Sequence, residues 1–241
     1  MAESNSAITE LDLSDEELPE QSGYQTEVAS LEQPLTVLVD QLKLHFENGE
    51  YSLLIGDDTS GRLPTLAVHK VVDYVCDLRG LLKVATFFIQ AGRYVDEETI
   101  RHQVESLKSR YVTHENNKAL LITEYIKSGE SIKRLTEILR DNGISFDIAA
   151  VAMSEPEAAY REKGVFDTET KVFLGSPIIP TVEHDKLEIW SKPTLTGLKP
   201  ARKKGSKVSV LKLGSEIRKD TIKAREDVKV LAERLINRLY P

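Results

Sequence analysis

The chain has 241 residues and a formal net charge of -7, with 40% hydrophobic and 29% charged residues. These values fit a soluble globular protein with one main domain and exclude the extreme compositional classes; no apolar run approaches the roughly 20 residues that span a bilayer. The single cysteine, Cys76, excludes an internal disulfide and a thiolate metal cluster. With no signal-peptide pattern at the N-terminus, the expected location is cytoplasmic and no membrane partner is expected.

From Met1 to about Gln33 the residues are mostly Glu, Asp, Ser and Gln, with too few apolar positions to offset the entropy of ordering. Residues 1–33 are therefore expected to form a disordered acidic tail, either a solubilising leader or a docking segment. Residues 1–42 hold ten Asp or Glu and no Lys or Arg, so the rest of the chain is net positive. Leu35, Val37, Leu38, Leu42 and Phe46 then recur with helical spacing and predict a helix leading into a domain over 34–198.

A regular alternation follows. Tyr51 to Ile55 reads as a strand, and Pro64 suits the first turn of a helix. Leu66, Val71, Val75 and Leu78 lie on one face of that helix, with Gly80 as its stop. Leu82 to Ile89 reads as the next strand. Ile100, Val104, Leu107 and Tyr111 predict an amphipathic helix after the acidic cap region Asp96 to Glu98. Ala119 to Ile122 is a third strand, Ser131 to Asn142 a helix that Gly143 ends, and Phe146 to Met153 a fourth strand with a further helix near Pro156. Strands separated by such helices imply right-handed crossovers, hence an α/β fold with a parallel central sheet flanked by helices.

After Gly164 the pattern weakens to short candidate strands at Val172 to Leu174, Ile178 to Ile179 and Leu187 to Trp190. Lys199 to Lys212 carries six basic residues and no acid, and defines a basic linker over 199–214. Residues 215–241 read as a C-terminal amphipathic helix with Ile217, Ala224, Val228, Leu231 and Leu235 inward. The basic run suggests phosphate, RNA or acidic-tail contact. Without interleaved aromatics its default reading is a solvated linker, which disfavours nucleic acid as a partner.

Ligands of parallel sheets bind at the carboxyl ends of the strands, which here points to the loops Asp57 to Arg62 and Glu124 to Glu130. In KALLITEYIKSGESI, Lys118 to Ile132, a buried strand delivers Glu124 at its end, and a turn with Ser128 and Gly129 opens a helix. Backbone N–H groups at that helix start can hold a phosphate, Gly129 permits close approach, and Ser128 and Ser131 add hydroxyl donors. Glu124 suits ribose hydroxyls or a hydrated Mg²⁺ ion.

This segment resembles the phosphoribosyl pyrophosphate motif of phosphoribosyltransferases: apolar residues, two acids, two apolar residues and a Thr-, Ser- and Gly-rich loop. The resemblance implies Thr123 and Glu124 at the ribose, and Lys127, Ser128, Gly129, Glu130 and Ser131 around the 5′-phosphate. Thr123 stands where the family carries an acid, Glu130 adds a negative side chain to the loop, and Lys127 stands where hypoxanthine enzymes place a general base. YSLLIGDDTSGRLPTL, Tyr51 to Leu66, is similar to the family's first strand and pyrophosphate loop. That likeness implies a diphosphate held by Asp57, Asp58, Thr59, Ser60, Gly61 and Arg62, with Asp58 and Glu124 toward Mg²⁺.

Between these motifs lies FFIQAGRYVDEE, where Gly92, Arg93 and Tyr94 form either an ordinary turn or a lid in which Arg93 meets pyrophosphate. Trp190 and Pro193 are candidates to cover a base pocket. The five histidines show no metal-site spacing. The resemblance implies a Mg²⁺-dependent transfer of the phosphoribosyl group to a nitrogenous base, with Glu124 and Arg93 as catalytic residues. A non-catalytic sensor of nucleotide or phosphoribosyl pyrophosphate is the rival reading, an RNA- or protein-binding adaptor a third, and a homodimer is left open.

Overall fold

The computed structural model of the protein describes residues 26–57, 61–92, 95–111, 118–176 and 210–241. In chain order these form α1 (Thr26–Ala29), α2 (Glu32–Glu47), β1 (Tyr51–Asp57), α3 (Arg62–Arg79), β2 (Ala85–Ile89) and α4 (Glu97–Tyr111). They continue with β3 (Lys118–Ile126), α5 (Glu130–Asp141), β4 (Ser145–Met153), α6 (Glu157–Glu162), β5 (Val172–Leu174) and α7 (Val210–Leu239). All strand pairings are parallel, in the order β2-β1-β3-β4-β5.

The central strands read as continuous apolar runs because helices cover both their faces. Leu54, Leu120 and Ile122 pack with Leu38 and Leu42 of α2, Val68 and Val71 of α3, and Val228 and Leu231 of α7. Their strand neighbours Ile55, Leu121 and Ile148 point the other way and pack with Ile100 and Val104 of α4, Leu135 of α5 and Tyr160 of α6. The two cores follow from the period-2 alternation of strand side chains.

Local signals place the helix ends. Asp96 Oδ1 accepts from Thr99 N at 2.8 Å and caps α4. Gly80 is left-handed with φ 66° at the end of α3, where Leu81 N donates to Cys76 O at 2.9 Å. Gly143, with φ 72°, follows α5 in the same way.

At the amino end of the sheet, Asp147 is fully buried and gathers three partners. Its carboxylate accepts from Tyr51 OH at 2.8 Å and Lys171 N at 3.1 Å, and pairs with Lys118 Nζ at 2.6 Å. Burial and this bond to Asp147 push the Tyr51 hydroxyl well above its usual range.

Several expected boundaries move. Residues 26–33, expected within the tail, carry α1 and the start of α2, and Val28 and Leu31 are buried in the first core. The strand expected from Leu82 starts at Ala85, where pairing with Leu53 begins; Leu82 is 93% exposed. Val37 and Leu78 lie on the solvent side of their helices, not in the core. The last helix starts at Val210, within the expected linker, and its Ala224, Val228, Leu231 and Leu235 are buried against the domain. Residues 1–25, the basic run through residue 209, and the candidates Ile178 to Ile179, Leu187 to Trp190 and Pro193 lie outside the described residues.

Candidate functional site

The chain leaves β1 toward α3 on one face of the sheet and leaves β3 toward α5 on the other. Because β1 and β3 are neighbours, their diverging loops open a crevice at this reversal of strand order, the place where doubly wound sheets bind ligands. A cavity of about 260 Å³ lies there. Asp57, Thr123 and Tyr125 line it from the ends of β1 and β3, Gly92 from the β2–α4 loop, and Lys127, Ser128, Gly129 and Ser131 from the turn into α5.

The turn is held from below. Tyr160 OH, on α6, donates to the carbonyls of Ile126 and Lys127 at 2.7 and 2.8 Å. Ser154 Oγ donates to the same Lys127 carbonyl at 2.7 Å, and Ser154 N to Ile126 O at 3.0 Å. These bonds engage the turn's carbonyl oxygens, while helix geometry leaves the first N–H groups of α5 without intrahelical acceptors. The positive end of the helix dipole adds to an anion-favouring field.

Gly129 is required by packing as well as by conformation. Its φ is +80°, and a Cβ there would lie 2.8 Å from Val165 Cγ2 and 3.2 Å from the Tyr160 ring. The close approach at Gly129 thus comes from the protein's own core. Ser128 and Glu130 are exposed, and Glu130 N donates to Ser128 Oγ at 3.4 Å.

Gly61 joins the two loops. A Cβ on it would fall 2.3 Å from Ile122 O of β3 and 2.7 Å from Asp57 N of β1, so only a glycine fits between the strand ends. Its N–H donates to Asp57 O at 2.7 Å. Asp58, Thr59 and Ser60 lie outside the described residues. Arg62 is not among the cavity's lining residues; its guanidinium stacks 4.6 Å from the centre of the Phe88 ring, on the α3 side of the sheet.

Glu124 is placed unexpectedly. It lies between Thr123 and Tyr125 on β3, so it turns to the opposite face and does not line the cavity. It is 1% exposed, and its Oε1 has no hydrogen-bond partner among the described residues. Burial pushes its carboxyl well above the usual range, and the nearby Asp57 carboxylate pushes it further.

The third wall is the β2–α4 loop. Arg134, projecting from α5, donates to the carbonyls of Val95 at 3.0 Å, Gly92 at 3.1 Å and Ala91 at 3.4 Å. It therefore pins both flanks of the segment containing Arg93 and Tyr94, which themselves lie outside the described residues. Sequence reasoning missed Arg134, Tyr160 and Ser154, because their partners are distant in the chain and no local motif marks them.

Fold and cavity together define a doubly wound parallel α/β protein with a cavity at its switch point, lined by the start of α5. No protein-family model and no curated protein matches the sequence. Among solved structures, the chain is similar to a purine phosphoribosyltransferase from Pyrococcus horikoshii Ot3, with 13% identity and a TM-score of 0.31. That similarity covers 66% of this chain and 95% of the other.

Proposed function

We propose that the switch-point cavity binds the 5′-phosphate and ribose of phosphoribosyl pyrophosphate, and that the protein transfers the phosphoribosyl group to a nitrogenous base. The observation that carries this reading is the convergence of the Lys127–Ser131 turn, the start of α5 and the ends of β1 and β3 on one cavity. Helix-start N–H groups and the hydroxyls of Ser128 and Ser131 receive the phosphate, while Thr123 and Tyr125 face the sugar. In the reaction the bond from ribose C1 to pyrophosphate breaks and a bond from C1 to a base nitrogen forms. The base nitrogen's proton passes to solvent or to pyrophosphate. The protein contributes position and exclusion of water.

The donor set suits Mg²⁺. Asp57 brings a carboxylate to the cavity from the end of β1. Mg²⁺ takes one or two carboxylates and fills its remaining positions with water and substrate oxygens. Asp57, which lines the cavity, would hold it, with Asp58 as a further candidate, and Mg²⁺ when bound would neutralise charge on the pyrophosphate oxygens; Glu124, turned to the other face, does not join that set.

A specific observation favours a second reading, a sensor that binds the same ligand without turnover. The side chain at position 123 that lines the cavity is a threonine, and the carboxyl next to it faces away. ³¹P NMR of the protein with phosphoribosyl pyrophosphate, Mg²⁺ and a pool of bases separates the two. Pyrophosphate released with one base establishes the transferase. Binding without release establishes the sensor, and binding of neither phosphoribosyl pyrophosphate nor ribose 5-phosphate removes both.

A further inference from the structure

A second concavity, of about 360 Å³, lies on the opposite face of the sheet, between α3, α7 and the edge strand β2. Its volume falls within the roughly 300–1,000 Å³ of small-molecule sites. Leu66, Phe88 and Val228 give it apolar walls. Cations stand along both helices: Arg62 and Lys70 on α3, spaced two helical turns apart, and Arg225 and Lys229 on α7, spaced one turn apart.

Among the described residues no carboxylate lines this cleft and Lys70, Arg225 and Lys229 form no ion pair; Glu233 stands beside Lys70 and Lys229 in the adjoining concavity. The nearest acid on α3, Asp73, is already engaged by His69 Nε2 at 3.3 Å and Lys83 Nζ at 3.8 Å. Like charges facing one another across a gap repel, and an anion seated between them removes that repulsion. Arg62 adds a second specificity. Its planar guanidinium is held over Phe88, so the wall offers flat surfaces suited to an aromatic base beside its cations.

We propose that this cleft binds a nucleoside phosphate, the base against the Arg62 and Phe88 wall and the phosphate toward Lys70, Arg225 and Lys229. It is distinct from the switch-point cavity, and it stands whether or not that cavity binds phosphoribosyl pyrophosphate. Arg62 directly follows Gly61, the glycine that seats the β1–α3 loop beside β3.

The test is calorimetric titration of the full chain at low salt with AMP and with ribose 5-phosphate, using wild type, Ser128→Asp and the double variant Arg225→Gln, Lys229→Gln. Arg225 and Lys229 are exposed, so the double variant keeps the fold, which circular dichroism checks. AMP binding assigned to the cleft should weaken at least tenfold in the double variant and survive Ser128→Asp. Ribose 5-phosphate, which lacks a base, should show the reverse pattern. A wild type that binds AMP through Arg225 and Lys229 but binds no ribose 5-phosphate supports the cleft while removing the switch-point reading. AMP binding indifferent to the double variant, no AMP binding at all, or a single-stranded RNA oligomer in place of AMP responding to these two residues overturns the proposal.

Discussion

Gly61 lies so close to Ile122 that a Cβ would sit 2.3 Å from the Ile122 carbonyl oxygen, and this contact seats the β1–α3 loop beside β3. Gly61→Ala must therefore push two strand ends apart. Overpacking of this kind costs about 1–3 kcal/mol, which lowers the melting temperature by roughly 2–4 °C per kcal/mol in a chain of this size. Its φ of -80° suits alanine, so the loss is steric. A melting temperature within a degree of wild type would contradict the contact.

Glu124 should make stability fall with rising pH. Its folded-state pKa is raised by burial and by Asp57, so its contribution is fully present below the unfolded value of about 4.3 and is lost as pH rises through the folded value. Glu124→Gln keeps the shape without the charge. The variant should gain melting temperature relative to wild type as pH rises above the unfolded value of about 4.3. Parallel pH profiles of the two proteins would refute the buried, unpartnered carboxyl.

The Lys127–Ser131 turn is best probed at Ser128, which is exposed, rather than at Gly129. Ser128→Asp should weaken ribose 5-phosphate binding at least tenfold, about 1.4 kcal/mol, with the melting temperature unchanged. Gly129→Ala should instead destabilise the fold by about 1–2 kcal/mol from its left-handed backbone alone, with crowding against Val165 adding to that. Urea unfolding and calorimetry on both variants distinguish a binding position from a packing one.

Asp147 tests the other end of the sheet. Asp147→Ala strands the Tyr51 hydroxyl and leaves Lys118 without its buried partner. Breaking a fully buried pair costs about 3–5 kcal/mol. Lys118 is 27% exposed and regains some water, which places the expected loss at about 2–3 kcal/mol. Urea denaturation should show it as a lower midpoint at unchanged slope.

Truncation tests the N-terminal segment. Deleting residues 1–25 should leave the melting temperature unchanged. Deleting residues 1–33 removes Val28 and Leu31, both buried, and the Glu32 carboxylate that meets Arg234 at 3.3 Å. Each lost apolar side chain is worth about 1.5–3 kcal/mol of burial, so thermal unfolding should fall by several degrees in the longer deletion alone.

The α/β alternation, the helix stops at Gly80 and Gly143, and the loops after β1 and β3 were legible in the sequence, because periodicity and turn chemistry are written in neighbouring residues. Pro64 within the first turn of α3 and Asp96 as the cap of α4 belong to the same local code. Tertiary structure alone decided that β1 and β3 are adjacent, which brings the two loops together, and that Glu124 faces away from the cavity while Arg62 lies over Phe88. It also brought Tyr160 and Arg134 under and beside the turn and drew α7 onto α3. These relations depend on strand order and on which face each residue meets after the crossovers. Long-range packing sets both, and the residues it joins carry no mark of one another along the chain.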